Sequence, residues 1–231
     1  MIEDLVVTSL VLGFTLGLAH AFDPDHLVAV GTLVTESENV RDSSLLGLWW
    51  GVGHTLSLMI VGGVVLSFKW VIPDRLATGL EIIVAGMIIV LGANVIWRAF
   101  HSYTVHWHPH QHEGTMHVHL HVHEAGSPEP HHHAHMSKCK ALVVGMVHGL
   151  AGSAALSLAI MTTMSTISLG MLYIFLFGLG AIGGMLLMSM LISVPFLLSG
   201  QRLGRWSTNL RLGAGCFAIG FGGYLAWSHI G

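Results

Sequence analysis

Four residues that can bind a cation lie within seven positions near the start of the chain. They are His20, Asp23, Asp25 and His26, in a sequence that is otherwise apolar from Leu5 to Leu33. Imidazole nitrogens suit nickel, cobalt, copper and zinc, whereas an all-oxygen set suits magnesium or calcium. Ionisable groups in an apolar segment usually face a cavity and serve a function. The pattern predicts a transition-metal site; the alternative is a buried polar network that holds a bent helix.

The composition places this segment in a membrane. Hydrophobic residues make up 53% of the 231 residues and charged residues only 9%, whereas soluble domains contain about 25% charged residues. Such a chain lacks the polar side chains to cover a water-facing surface, so we predict an all-α integral membrane protein. The net charge of −3 argues against a nucleic-acid partner, and the G-x-x-x-x-G-K-[ST] pattern of an ATPase is absent.

The two histidines of the motif require a broken helix. Residues six apart in a continuous helix lie about 120° apart around its axis, so His20 and His26 could not bind one ion. Pro24 lacks an N–H, and its ring clashes with the carbonyl of His20. Asp23 is a good helix N-cap, and proline is favoured at the first helical position. We therefore predict a break at Asp23-Pro24 near mid-membrane, with Asp23 as a cap rather than a ligand and with the His20 carbonyl freed as a further ligand.

Six segments are long and apolar enough to span a bilayer, which takes about 20 residues. We predict spans over about 5–34, 45–68, 75–100, 139–163, 168–199 and 210–229. The halves also match in three places: Gly17-Leu-Ala-His20-Ala with Gly145-Met-Val-His148-Gly, Trp50–Gly53 with Phe177–Gly180, and Thr78–Trp97 with Thr208–Trp227. Because each half holds three spans, the fold is predicted as two inverted three-helix repeats. The alternative is that glycine-rich helices simply resemble one another.

Domain boundaries and orientation follow from these spans. Residues 1–100 form the first repeat with the metal motif, 101–137 a His-rich loop, and 138–231 the second repeat. One side of the membrane receives Lys69 and Arg75, and the other receives Arg41, Arg98, Lys138, Lys140, Arg202, Arg205 and Arg211. Cytoplasmic loops carry the excess of Lys and Arg. We therefore predict a multi-pass protein of the cytoplasmic (inner) membrane, with both termini outside and the His-rich loop in the cytoplasm.

Histidines outside the motif extend the metal hypothesis. His54 lies in Gly51-Val-Gly-His-Thr-Leu-Ser57 and either binds the ion or hydrogen-bonds a neighbouring helix. His148 matches His20 in the repeat, but Gly152-Ser-Ala154 replace its companions, so it either lines a pathway or fills a tight helix contact. Thirteen of the 18 histidines lie between 101 and 135. We predict a disordered or loosely ordered loop that binds metal, with a solvated linker as the alternative.

These motifs resemble those of a known family. His20-x-x-x-x-Asp25-His26 resembles the H-x4-D-H signature of the nickel/cobalt transporter family (NiCoT), and Gly53-His54-Thr55 resembles its following G-H-S/T element. The short length resembles the NicO-like, urease-associated branch. The resemblance implies a secondary transporter with His20, Asp25 and His26 in the selectivity site and His54 as a ligand or its partner. Relative to the longer, eight-span members, we expect their first helix to be missing, and their acidic L-G-F-D-T element does not occur in this sequence.

We therefore interpret the chain as a transporter of Ni²⁺ or Co²⁺ and not an enzyme, with the ion as its substrate and no prosthetic group. Uptake is preferred over export by the same fold. The alternatives are an intramembrane zinc-dependent enzyme, because His/Asp/His can bind zinc with an open position, and a non-transporting partner of a nickel enzyme. Expected partners are the metal ion, the lipid bilayer and nickel-enzyme maturation proteins reached through the His-rich loop.

Overall fold

The computed structural model describes residues 2–35, 37, 39–70, 72–101, 103–112, 115–124, 133–151, 166–202 and 204–230. Within these ranges it contains seven helices and one hairpin. They are α1 (Ile2–His20), α2 (Pro24–Val34), α3 (Val40–Phe68), α4 (Asp74–His101), β1 (Tyr103–His112), β2 (Thr115–Glu124), α5 (His133–Gly149), α6 (Ile167–Arg202) and α7 (Gly204–Ile230). The predicted helical character is confirmed for the segments on either side of the hairpin.

Three described helices are long and apolar enough to cross a membrane. They cover Val40–Phe68, Asp74–Phe100 and Ile167–Leu198, and a shorter apolar helix covers Val7–His20. A bilayer of about 30 Å requires roughly 20 such residues at 1.5 Å each. The chain is therefore a helical membrane protein.

The first predicted span is broken where proline requires it. Helix α1 ends at His20 and α2 begins at Pro24, with Asp23 in the extended conformation at the N-cap position. In the intervening turn, the Asp23 N–H donates to the His20 carbonyl at 3.0 Å. The break is thus confirmed. The prediction that the His20 carbonyl is left free was wrong, because a turn satisfies it.

Helix α5 ends much earlier than the sequence predicted. A continuous span over 139–163 was expected, but α5 stops at Gly149, and residues 152–165 lie outside the described part of the chain. The Ala151 N–H donates to the His148 carbonyl at 3.1 Å. This turn corresponds to the one after His20, shifted by 128 residues, so both helices end in the same way after a histidine.

Glycines allow the helices to approach closely, and the overlap of an added Cβ with a carbonyl of another helix would be most severe at four of them. The contacts are Gly17 with Phe177, Gly145 with Trp50, Gly53 with Leu142 and Gly180 with Phe14. Gly17 and Gly145 are 128 positions apart in the sequence, and Gly53 and Gly180 are 127 positions apart, so each pair occupies matching positions in the two halves. Small residues at such contacts let membrane helices approach and pack.

The His-rich segment contains two antiparallel strands, so the prediction of a disordered or loosely ordered loop was wrong for residues 103–112 and 115–124. Its register pairs His106 with His121, His108 with His119 and His110 with His117. The physical reason is visible in the run Met116-His-Val-His-Leu-His-Val-His, where polar and β-favouring residues alternate with the period of a strand. The preceding strand alternates in a similar way.

Candidate metal centre

The break in the first span brings three histidines together. The ring centroids of His20 and His26 lie 4.4 Å apart, and the ring of His54 from α3 lies 5.4 Å from the first and 5.2 Å from the second. One ligand nitrogen of each ring lies within 4.8 Å of the others. His26 and His54 have no exposed surface. The geometry therefore gathers three imidazoles from three helices in the protein interior.

Two carboxylates determine which ring nitrogen faces the centre. Asp23 lies 2.7 Å from Nδ1 of His20, and Asp25 lies 3.0 Å from Nδ1 of His26. An ionised carboxylate only accepts hydrogen bonds, so each Nδ1 carries the proton and each Nε2 keeps its lone pair. Both Nε2 atoms are buried without a hydrogen-bond partner. Carboxylate–imidazole pairs of this kind orient histidines that bind metals.

His54 is held in place by its neighbours on α3. The hydroxyl of Thr55 donates to the Gly178 carbonyl of α6 at 3.2 Å, and the hydroxyl of Ser57 donates to the Met146 carbonyl of α5 at 2.8 Å. Neither ring nitrogen of His54 has a hydrogen-bond partner. Buried polar groups are normally paired, so this ring is a third nitrogen donor that lacks a partner.

Asp25 also joins the centre to a histidine that was not in the predicted site. Its second oxygen lies 2.8 Å from Nε2 of His148 on α5, and Asp25, His26 and His148 form a second group of donor atoms within 4.8 Å. From the sequence, His148 was expected either to line a pathway or to fill a tight helix contact. Its match to His20 in the repeat was the signal that it lies at the centre.

Aromatic rings close the centre on two sides. The Trp50 ring is fully buried and lies 5.2 Å from His26 and 5.5 Å from His148, and the Phe177 ring lies 5.4 Å from His20. An apolar wall keeps water out and lowers the local dielectric, which strengthens the attraction between an ion and its ligands. The wall therefore favours an ion that has lost most of its water.

The donor set fits a transition-metal ion. Bonds of about 2.1 Å to imidazole place tetrahedral ligand nitrogens roughly 3.4 Å apart, and the three donor nitrogens, within 4.8 Å of one another, lie near that spacing. The predicted residues His20, Asp25, His26 and His54 all lie at this centre. Asp23 occupies the predicted N-cap position, but its side chain makes no cap bond and holds His20 instead.

Comparison with known proteins identifies the family to which the chain belongs. Residues 6–203 match the family model NicO, described as a high-affinity nickel-transport protein. The chain is 36% identical over 203 residues to the urease accessory protein UreH of Bacillus sp. (strain TB-90), with 86% of this chain and 82% of UreH covered. It is 38% identical over 63 residues to the nickel transporter NixA of Staphylococcus aureus (strain NCTC 8325 / PS 47), with 26% and 18% covered. No solved structure matches. Because the family model covers most of the chain, the protein belongs to the NicO family of high-affinity nickel-transport proteins, and it is a nickel transporter and not an enzyme.

Proposed function

We propose that the chain is a secondary transporter that takes up Ni²⁺ through a site formed by His20, His26 and His54. The observation that carries this proposal is a set of three imidazoles, two fully buried and the third mostly buried, whose free nitrogens lie close together without a hydrogen-bond partner. Asp25 orients His26 and supplies negative charge to the dehydrated dication. The same nitrogen donors suit Co²⁺, so cobalt is the second candidate substrate.

The ion passes between two ligand groups that share His26. The first group is His20, His26 and His54, and the second is Asp25, His26 and His148. Once the hydrogen bonds from His26 and His148 to Asp25 open, the imidazole common to both groups lets an ion exchange its other ligands one at a time without leaving the protein. Transport requires binding that is strong enough to admit an ion and weak enough to release it, and stepwise exchange meets both conditions.

Residues 1–100 and 138–231 act as two inverted repeats of three spans each, with residues 101–137 between them. Two observations support this arrangement: the matching turns after His20 and His148, and the paired glycine contacts at the same sequence offset. Inverted repeats around a central site commonly rock to expose it to alternate sides. The six spans would place His54, at the middle of α3, near the midplane of the cytoplasmic membrane.

Asparagine at position 25 is expected to slow nickel flux into proteoliposomes by about 10–100-fold, the usual range for groups that orient metal ligands. The amide keeps the size of the side chain but removes its charge and one acceptor, so His26 and His148 lose their anchor. Flux is measured with a nickel-sensitive dye inside the vesicles. Asp42→Asn, at the exposed start of α3, is the control and should transport normally. Absence of flux in the unsubstituted protein would reject the proposed function.

The proposed orientation predicts how the two cysteines react. Cys139, near the start of α5, is exposed and follows the hairpin, so a membrane-impermeant maleimide should label it in inside-out vesicles and not in intact cells. Cys216 is also exposed but lies mid-way along α7, where lipid surrounds it, and only a lipid-soluble maleimide should reach it. Labelling of Cys139 in intact cells would reverse the proposed topology.

The hairpin serves as a cytoplasmic metal reservoir that passes nickel to enzyme maturation proteins. Its register sets three histidine pairs opposite one another, and directly opposed residues of an antiparallel ladder share one face of the sheet. UreH, the relative named above, is a urease accessory protein, which fits delivery to a nickel enzyme. Adjacent imidazoles on one face can chelate a transition metal.

Glutamine in place of the six paired histidines is expected to remove several bound nickel ions from the purified protein, because an amide is a poor ligand for this metal. The measurement is equilibrium dialysis with radioactive nickel. Vesicle flux should stay within about twofold, since loops of this kind tolerate change. Val118→Thr with Val122→Thr keeps the strand pattern and is the control. An unchanged amount of bound nickel would refute the reservoir.

A further inference from the structure

A cavity of about 180 Å³ lies beside the metal centre and carries ionisable groups of its own. Its polar lining consists of Asp23, Asp25, Glu81, His148 and His229. Three of these are carboxylates, and none of the described lining residues is Lys or Arg. A recess with one sign of charge and low-dielectric walls concentrates ions of the opposite sign. The cavity is therefore an attractive environment for a cation on its way to the centre.

Glu81 and His229 meet because α4 and α7 pack antiparallel. Gly92 of α4 packs against Gly215 of α7, and Gly222 packs against Ala85 one or two turns further along. Continued in the same direction, this packing sets Glu81 opposite His229, whose Nδ1 lies 2.7 Å from the carboxylate. Neither residue belongs to the two donor groups of the metal centre.

The Glu81–His229 pair repeats the chemistry of the centre. Asp23 with His20 and Asp25 with His26 are the same carboxylate–Nδ1 pairs, and each leaves Nε2 with its lone pair. His229 is thus oriented as a nitrogen donor in the same way. Its side chain and that of Glu81 are 26% and 27% exposed, so both are reached by water, unlike His26 and His54.

His148 gives an independent sign that the cavity accepts a ligand. The residue is 1% exposed and lines the cavity, and its Nδ1 is buried without a hydrogen-bond partner. Because Nε2 faces the carboxylate of Asp25, Nδ1 holds the lone pair. A buried acceptor of this kind normally has a partner. His148 therefore keeps an unpaired nitrogen donor within the wall of the cavity.

We propose that this cavity is a second cation site, in which Glu81 and His229 hold a partly hydrated Ni²⁺ before it loses its remaining water at the metal centre. The volume corresponds to roughly six waters at about 30 Å³ each, enough for an ion with much of its hydration shell. The proposal rests on the proposed transport function. The pair lies near the start of α4 and the end of α7, so the site faces the side of the membrane opposite the hairpin, which suits capture for uptake.

Flux kinetics test the site in proteoliposomes of the full chain. Glu81→Gln and His229→Gln should each raise KM for Ni²⁺ about tenfold or more, with kcat within about twofold, because they weaken capture and leave the centre intact. Glu81→Asp should recover part of the affinity. Asp74→Asn removes an exposed carboxylate from the same helix outside the cavity and should change neither constant. An unchanged KM in both glutamine variants would overturn the proposal, as would loss of thermal stability with no change in KM, which marks a structural clamp.

Nickel binding separates this inference from the transport function. In equilibrium dialysis of the purified protein, the Glu81→Gln/His229→Gln double variant should bind one ion fewer than the unsubstituted chain. His26→Ala should lose a different ion, and the hairpin is the same in every variant, so its contribution cancels. An equal number of ions in the double variant and the unsubstituted chain would overturn the second site. Absence of flux with this loss of one ion would reject the transport function and leave the cation site standing.

Discussion

Alanine at position 26 is expected to lower nickel flux at least about 100-fold, the upper end of what even an indirect metal contact costs. His26 is the one residue shared by both donor groups, and its ring lies within 5.2 Å of the rings of His20, His54 and Trp50. Its loss removes a ligand from each group and leaves Asp25 without one of its two histidine partners. The measurement is the initial rate of nickel accumulation in proteoliposomes.

The control for this variant must distinguish the loss of a metal ligand from the loss of buried side-chain volume. Val28→Ala removes buried volume from the same helix two residues away and should cost stability without a comparable loss of flux. His26→Gln keeps much of the volume and should be as inactive as the alanine variant. If His26→Ala carried nickel at the rate of Val28→Ala, the shared imidazole would not be a ligand and the proposed pathway would be wrong.

The parts of the candidate site that were predicted from the sequence are those that depend on single residues or their immediate neighbours. Proline excludes a continuous helix, so the break at Pro24 and the meeting of His20 with His26 followed from a single residue. Intramembrane ionisable groups are costly enough that Asp25 was expected to serve the site. Local rules also gave the approximate extents of α3, α4 and α6.

The features of the site that were not predicted depend on contacts between residues that are far apart in the sequence. Asp25 orients two histidines, and one of them is 123 positions away. The side chain of Asp23 turns to His20 because that imidazole lies within reach, although Asp is a good cap in isolation. Alternation in the hairpin was visible in the sequence, but the proline, glycine and glutamate content and the absence of a packed apolar face favoured a loop. The end of α5 has no proline to mark it, and only the paired turn after His20 signals it.

The glycine contacts explain how α1, α3 and α5, which carry His20, His54 and His148, pack closely around the candidate site. Helices whose backbones touch at Gly53 and Gly180 cannot shift sideways without losing those contacts, so the rings are held in register. In a membrane, helix association depends on such close packing because burial from water contributes little. The candidate metal centre therefore depends on glycines that bind no ion themselves.

The Gly180→Val variant is expected to be less stable by more than about 3 kcal/mol, beyond the usual range for overpacking. Its Cβ would overlap the carbonyl of Phe14, and a backbone carbonyl cannot rotate away as a side chain can. Gly183 on the same helix is the matched control: nothing lies within 4 Å of its Cβ position, so Gly183→Val should be nearly neutral. Thermal unfolding in detergent and the yield of folded protein measure both. Gly53→Val should behave like Gly180→Val, because the two glycines make corresponding contacts in the two halves. Equal stability of the Gly180 and Gly183 variants would show that the helices can separate at this contact, and the shared site would then lose its structural support.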